Sequence, residues 1–252
     1  MRSRRLGKDG PEVSVVGLGC NNFGMRVDLE GTRAVVDAAL DAGVTLFDTA
    51  DIYGNKGGSE SFLGEVLEDR RDGVVLATKF GGDMDDGTKA RGSRAYIHKA
   101  IDASLQRLRT DVVDLYQYHS PDNLTPLEET FGALDELVRA GKVRYVGHSN
   151  LDAAQVEEVD AICREHGYAR PVSAQNRYSL LHRDAEEKLL PTCERLGLGV
   201  LPYFPLASGL LTGKYRRGEQ PPEGTRLAGR EEVFTDEAFD RLEALEEFAK
   251  ER

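Results

Sequence analysis

Two hydrophobic patterns alternate along the chain. Short apolar or β-branched runs are followed by stretches in which apolar residues recur every three or four positions, and the pair returns about every 30 residues. The runs predict strands at 13–17, 45–48, 74–79, 112–118, 143–147, 171–175 and 199–203. Between them, residues 94–109 place Ile97, Ile101, Leu105 and Leu108 on one helical face. Thr125-Pro126-Leu127-Glu128 reads as a capping box with proline at the first helical position, and Gly141 follows the last turn. Phe239, Leu242, Leu245 and Phe248 form the stripe of a final helix. Ahead of all these units, residues 3–14 read as a hairpin turning at Asp9-Gly10.

Val74-Val75-Leu76-Ala77 is apolar without alternation, which suits strands buried on both faces of a parallel sheet. Strict strand-then-helix order predicts an α/β fold, either a doubly wound sheet or a barrel. Gly17-Leu18-Gly19 is followed by Asn22, and the next glycine is Gly24, so the G-x-G-x-x-G dinucleotide fingerprint fails. The pattern therefore favours a (β/α)8 TIM barrel with an N-terminal β-hairpin. Seven units are legible and the sequence stops inside the seventh helix, whereas a closed barrel needs eight. Residues 1–252 are thus expected to form a single barrel domain, C-terminally incomplete and lacking a last β/α unit of roughly 50–80 residues.

Composition narrows the partners. With 44 acidic against 33 basic residues the net charge is -11, and no basic stripe is present. Nucleic acid and anionic membrane are poor matches for such a chain, and an anionic cofactor would need a local site. Cys20, Cys163 and Cys193 are far apart and show no Cys-x-x-Cys, so neither a disulfide framework nor a zinc signature is expected, and a reducing cytoplasm is the natural compartment. The N-terminus lacks the apolar core of a signal peptide. Residues 196–213 carry no charge but contain Pro202 and Pro205, which reads as buried strand and loop and not as a membrane span. A small-molecule partner is left, with homo-oligomerisation open.

Barrel enzymes build their sites at the C-terminal ends of the strands. Here Asp48 ends the second strand, Lys79 the third, Gln175 the sixth and Tyr203 the seventh, while His119 follows the fourth and Ser149-Asn150 the fifth. Tyr53 sits in the loop after the second strand. Singly, each has an ordinary explanation: a capping Asp, a solvated Lys, a loop His, a packing Tyr, a plain turn. Together, six consecutive strands ending in reactive polar groups match what a rim site requires. His98, His166 and His182 are assigned to helices or their approaches, His148 to shaping a loop, and no metal spacing is found. Cys20 lies near the rim without a paired base, which disfavours a thiol nucleophile.

A carboxylate, an ammonium, a phenol and an imidazole on one rim suit acid–base work on a carbonyl. A free phenol has a pKa of about 10. A cation about 4 Å away is worth up to about 4 kcal/mol at an effective dielectric of 20, enough to lower that value by units. Lys79 is expected to supply this pull on Tyr53, with Asp48 holding Lys79 charged and His119 orienting the carbonyl oxygen. None of these groups is a hydride source, so a nicotinamide cofactor is implied.

The segment Phe47-Asp48-Thr49-Ala50-Asp51-Ile52-Tyr53-Gly54 resembles the signature of the aldo-keto reductase superfamily around its catalytic Asp and Tyr. Ala77-Thr78-Lys79 is similar to the family's lysine strand, and Leu115-Tyr116-Gln117-Tyr118-His119-Ser120-Pro121-Asp122 to its histidine strand. Gly147-His148-Ser149-Asn150 and Ala174-Gln175-Asn176 resemble its carboxamide-binding segments. Residues 203–214 resemble its stacking aromatic and pyrophosphate loop, so that the likeness spans nearly the whole chain. The resemblance implies NADP(H) as cofactor and a carbonyl compound as substrate. It implies that Tyr53 donates a proton, tuned by Lys79, with Asp48 behind Lys79 and His119 on the carbonyl. It further implies that Ser149, Asn150 and Gln175 bind the nicotinamide amide and that Tyr203 stacks on the ring. Gly19, Cys20 and Asn21 would line the cofactor, with Asp48, Phe204 and Pro205 beside it, and Leu206, Ser208, Gly209 and Lys214 would contact the phosphates. The family's adenosine-gripping segment lies after an eighth strand, beyond this sequence.

Two other readings stand beside an NADP(H)-dependent reductase. One is a cofactor-binding regulatory subunit similar to potassium-channel β subunits, against which His119 argues, because such members commonly carry another residue there. The other is a catalytically dead, truncated barrel.

Overall fold

A computed structural model describes residues 1–251. The chain falls into two compact units, one of residues 1–175 with 189–201, the other of residues 176–188 with 202 onward.

The first unit opens on the expected hairpin, in which β1 (Ser3–Arg5) pairs antiparallel with β2 (Glu12–Ser14). The hairpin closes through Leu6 N–H donating to Pro11 O, and its left-handed residue is Gly7, not Gly10. A Cβ at Gly7 would lie 2.5 Å from Val172 O and 2.8 Å from Gly199 N, so only glycine lets the hairpin press against the starts of later strands. Leu6 and Val13 then join Leu46, Ala77, Leu115 and Val172 in one buried cluster that closes the N-terminal end of the sheet.

Because Val13 is used by the hairpin, the first strand of the main sheet is β3 (Gly17–Gly19), later than the 13–17 expected. Gly-Leu-Gly has almost no side chain to announce a strand. Six parallel strands follow: β4 (Leu46–Asp48), β5 (Val75–Phe80), β6 (Val113–Tyr118), β7 (Val143–Ser149), β8 (Ser173–Gln175) and β9 (Gly199–Val200). Each pairs with its neighbours in chain order, from β3 at one edge to β9 at the other. Helices α1 (Leu29–Asp41), α2 (Tyr53–Val66), α3 (Arg94–Leu108), α4 (Leu127–Arg139), α5 (Ala153–His166) and α6 (Leu189–Leu196) carry the chain back between strands. β5 is buried along nearly all of its length, as the unalternating apolar run at 74–77 predicted, and β6 is buried throughout although it carries Asp114 and Gln117.

This is the α/β architecture of a (β/α)8 barrel in part, with its N-terminal hairpin. The sheet curls. Gln175 on β8 hydrogen-bonds Asp48 on β4 at 3.1 Å, although three strands lie between them. In a flat sheet four strand steps would hold the two about 19 Å apart.

Local chemistry at the helix ends differs from expectation in one place. α4 begins at Leu127 with Pro126 as its cap, and no side-chain cap bond forms. The Thr125 hydroxyl instead donates to Asp122 Oδ2 at 2.9 Å. A reciprocal capping box does occur at α5, between Asp152 and Gln155.

The second unit has its own core of Leu210, Tyr215, Leu227, Phe239 and Leu242. α7 (Asp236–Lys250) supplies the last two residues and is capped by Thr235. Of its four-residue stripe only this N-terminal half is buried, and Phe248 is exposed. Among the described residues, no helix is long and apolar enough to cross a membrane.

Candidate active site

Lys79 is the centre of the rim. It lies on β5, one residue before the strand end, and its side chain is 0% exposed. Burial alone would push its pKa down, but the Asp48 carboxylate and the Tyr53 hydroxyl outweigh that and hold it above the usual lysine value. The ammonium donates to Asp48 Oδ2 at 2.7 Å and to Thr49 O at 2.9 Å. The Lys79 carbonyl also accepts from Asp51 N–H at 3.0 Å. Lys79 thus grips the segment leading to Tyr53 twice, once by its side chain and once by its backbone.

Tyr53 follows a tight turn in which its N–H donates to Ala50 O at 3.1 Å. The next four residues, Gly54, Asn55, Lys56 and Gly57, all have positive φ, so the start of α2 is not helical. A Cβ at Gly54 would stand 2.4 Å from Phe23 O and 2.3 Å from Ser59 N. The glycine after Tyr53 is therefore required by both the backbone angle and the space. The Lys79 ammonium lies 5.0 Å from the Tyr53 ring centroid. Here the sequence expectation needs correction. Burial raises the phenol pKa more than the Lys79 charge lowers it, so the net shift is upward. Tyr53 is a protonated hydroxyl at neutral pH, with a cation ready beside it.

His119 follows β6, and its N–H donates to Phe80 O at 2.9 Å, extending the ladder by one rung. Its ring meets Tyr53 edge-on, with centroids 5.8 Å apart at 88°. Burial first, then the Lys79 charge, depress its pKa to about 4, so the imidazole is neutral near pH 7. Its Nδ1 is buried without a hydrogen-bond partner.

Asp48 collects donors from three other strands. Its Oδ2 takes the Lys79 ammonium, and its Oδ1 accepts from Gln117 Nε2 at 3.0 Å and Gln175 Nε2 at 3.1 Å. Around the rim, Ser149 Oγ donates to Gln175 O at 2.6 Å, while Asn150 Nδ2 donates to His119 O at 2.9 Å and Ser149 Oγ at 3.1 Å. A hydroxyl and two carboxamides gathered this way present both donors and acceptors, the complement of another carboxamide. On the other side of Asp48, Gly19 is its register partner on β3, and a Cβ there would meet nothing within 4 Å. Open space above Gly19 and an amide-rich rim fit a nicotinamide. Cys20 is fully buried, its N–H donating to Asp48 O at 2.9 Å, and burial pushes its thiol far above the ordinary range. It is a packing residue of the turn, while Asn21 beside it is half-buried.

The remaining expected cofactor residues belong to the second unit. Tyr203 and Phe204 meet edge to face at 5.3 Å, and Leu206 is exposed. After Pro205 comes a run with Ala207, Ser208 and Gly209 at positive φ, and the Lys214 ammonium sits against Gly209.

Two residues of the site escaped sequence reasoning. Gln117 is fully buried and ties β6 to Asp48; its signal was a carboxamide between two tyrosines near the C-terminal end of a predicted strand. Asp51 is also buried beside the turn, and nothing in its local sequence sets it apart from an ordinary loop carboxylate.

A partial parallel barrel with a Lys–Asp–Tyr–His cluster at the C-terminal ends of its strands is the setting of an oxidoreductase, and the chain belongs to the Aldo/keto reductase family, whose sequence profile it matches over residues 15–252. Members of this family generally use nicotinamide cofactors. The chain is similar to the uncharacterized oxidoreductase YrpG of Bacillus subtilis (strain 168), with 39% identity over 257 aligned residues, covering 98% of this chain and 78% of that protein.

Proposed function

We propose that the protein is an NADP(H)-dependent reductase of aldehydes or ketones, with Tyr53 as its proton donor. What carries this reading is one arrangement: a charged, fully buried Lys79 beside a protonated Tyr53, with a neutral His119 ring against the same phenol. A nicotinamide cofactor, when bound, supplies the hydride. The chain's own residues manage the proton. Burial keeps Tyr53 in its hydroxyl form until the carbonyl oxygen needs a proton, and the Lys79 ammonium stabilises the phenolate left behind. Asp48 keeps Lys79 charged and aimed. His119, being neutral, can donate from one ring nitrogen to the same carbonyl oxygen without competing for its proton. Ser149, Asn150 and Gln175 would hold the nicotinamide carboxamide, with Gly19 leaving room for the ring. NADP(H) over NAD(H) follows the family's usual preference.

The test is a panel of aliphatic and aromatic aldehydes and ketones, followed by loss of NADPH absorbance and repeated with NADH. Turnover faster with NADPH supports the reading. Cofactor binding without turnover on any carbonyl would overturn it.

A further inference from the structure

Behind Lys79 lie two buried polar groups that the proposed chemistry does not use. Asp51 is 1% exposed, and its carboxyl oxygens make no well-formed hydrogen bond, with only the adjacent Ile52 N–H turned toward them. Tyr116, on β6, is 0% exposed, and its hydroxyl is unpartnered as well. The groups acting on Asp51 come from four elements. They are Glu60 on α2, Arg107 and Tyr96 on α3, Lys79 on β5 and Tyr116 on β6. Both cations are already committed. Arg107 pairs with Glu60 at 2.7 Å, whose other oxygen accepts from Thr78 at 2.5 Å, and Lys79 is held by Asp48. An ionised carboxylate in this place would have no counter-ion of its own and only the adjacent Ile52 N–H as a donor, which burial and the Glu60 charge outweigh, so the neutral acid is the favoured form.

The backbone links this carboxyl to the reaction. The Asp51 N–H is bound to the Lys79 carbonyl, and Tyr53 is two residues on. We propose that Asp51 is a positioning residue whose buried, uncompensated carboxyl is held as the neutral acid, and whose ionisation adds a second negative charge acting on Lys79. The proposal rests on the reading of Tyr53 as proton carrier. Ionisation releases the Asp51 proton to solvent. The new charge draws on the Lys79 ammonium, tightens the phenol's hold on its own proton and slows reduction. Burial, with the Glu60 charge behind it, pushes the Asp51 carboxyl up to about 7, which places the step inside the working pH range.

Infrared difference spectra of the protein without cofactor, taken between about pH 5 and about pH 9, test the ionisation directly. The wild type should show one protonated-carboxyl band that disappears near neutrality, and Asp51→Asn should lack it. In turnover, the wild-type rate of carbonyl reduction should fall at least about threefold across the same midpoint, and Asp51→Asn should show no such step. Absence of the band at acid pH overturns the proposal, as do superimposable wild-type and variant profiles. Should Asp51→Asn fail to fold, the wild type decides alone: coincident spectroscopic and kinetic midpoints support the proposal, and midpoints that differ overturn it. Failure of the Tyr53 reading looks different, since it appears as undiminished turnover in Tyr53→Phe.

Discussion

The Tyr53 and His119 rings stand edge to face, 5.8 Å between centroids, although 65 positions of sequence separate the two residues. Each has its ionisation displaced by the same burial, in opposite directions. The phenol is held protonated and the imidazole is held neutral. In the proposed function, a donor and an orienting group that are both uncharged at neutral pH would suit an uncharged carbonyl. Tyr53→Phe keeps the ring and its packing and removes only the proton. Its turnover should fall at least about 10²-fold, the usual weight of general acid catalysis, with cofactor affinity retained. Stopped-flow reduction and a cofactor titration by fluorescence would check this, and an unchanged rate would remove Tyr53 from the mechanism.

Lys79 tests the electrostatic half of the site. Lys79→Met keeps the volume and removes the charge, which leaves Asp48 with only Gln117 and Gln175 as donors. Breaking a buried pair costs about 3–5 kcal/mol. The lower end is expected here, because the Asp48 side chain is 19% exposed. Urea unfolding should show this loss, and turnover should fall along with it. A variant as stable as the wild type would mean that the pair is not what anchors the turn.

Gln117 is expected to matter through Asp48 and not through substrate. Gln117→Leu fills the same buried position but removes one donor from Asp48 Oδ1. A loss of about 1–3 kcal/mol is expected from the under-satisfied carboxylate. Denaturant midpoints would measure it, and an equal or raised midpoint would count against the role.

Acid stability should be limited by histidine. Burial depresses both His119 and His148 to about 4, against an ordinary value of about 6.5. Between those values the unfolded chain takes up protons that the folded chain refuses. Stability present above about pH 6.5 is therefore lost as pH falls toward about 4, at up to about 1.4 kcal/mol per pH unit for each histidine. Asp51 works the other way, its raised pKa costing stability as pH rises from about 4 to about 7. His148 is fully buried with both ring nitrogens unpartnered. His148→Leu should accordingly flatten the acid limb of a thermal-unfolding series. A limb as steep as that of the wild type would show that His148 is not the group responsible.

Much of the architecture was legible without coordinates. The unalternating run at 74–77 announced a strand buried on both faces, and the helical face of Ile97 and Ile101 is buried as read. Both are local periodicities, fixed by the geometry of one element. β3 was misplaced because Gly17-Leu18-Gly19 has no such periodicity to read. The capping box at Thr125 failed because Asp122, three residues earlier, takes the hydroxyl first.

The sequence by itself determined the order of strands and helices, the family, and the placing of Asp48, Lys79 and His119 at neighbouring strand ends, since each follows from residues close together in the chain. Tertiary structure alone decided that Asp48 would bind Gln117 and Gln175 across a curled sheet. It also decided that the Tyr53 phenol would be shifted up and not down. A formal charge can be counted from a list of residues. The desolvation that opposes it is a sum over every atom packed around the group, and those atoms come from strands and helices far apart in the chain.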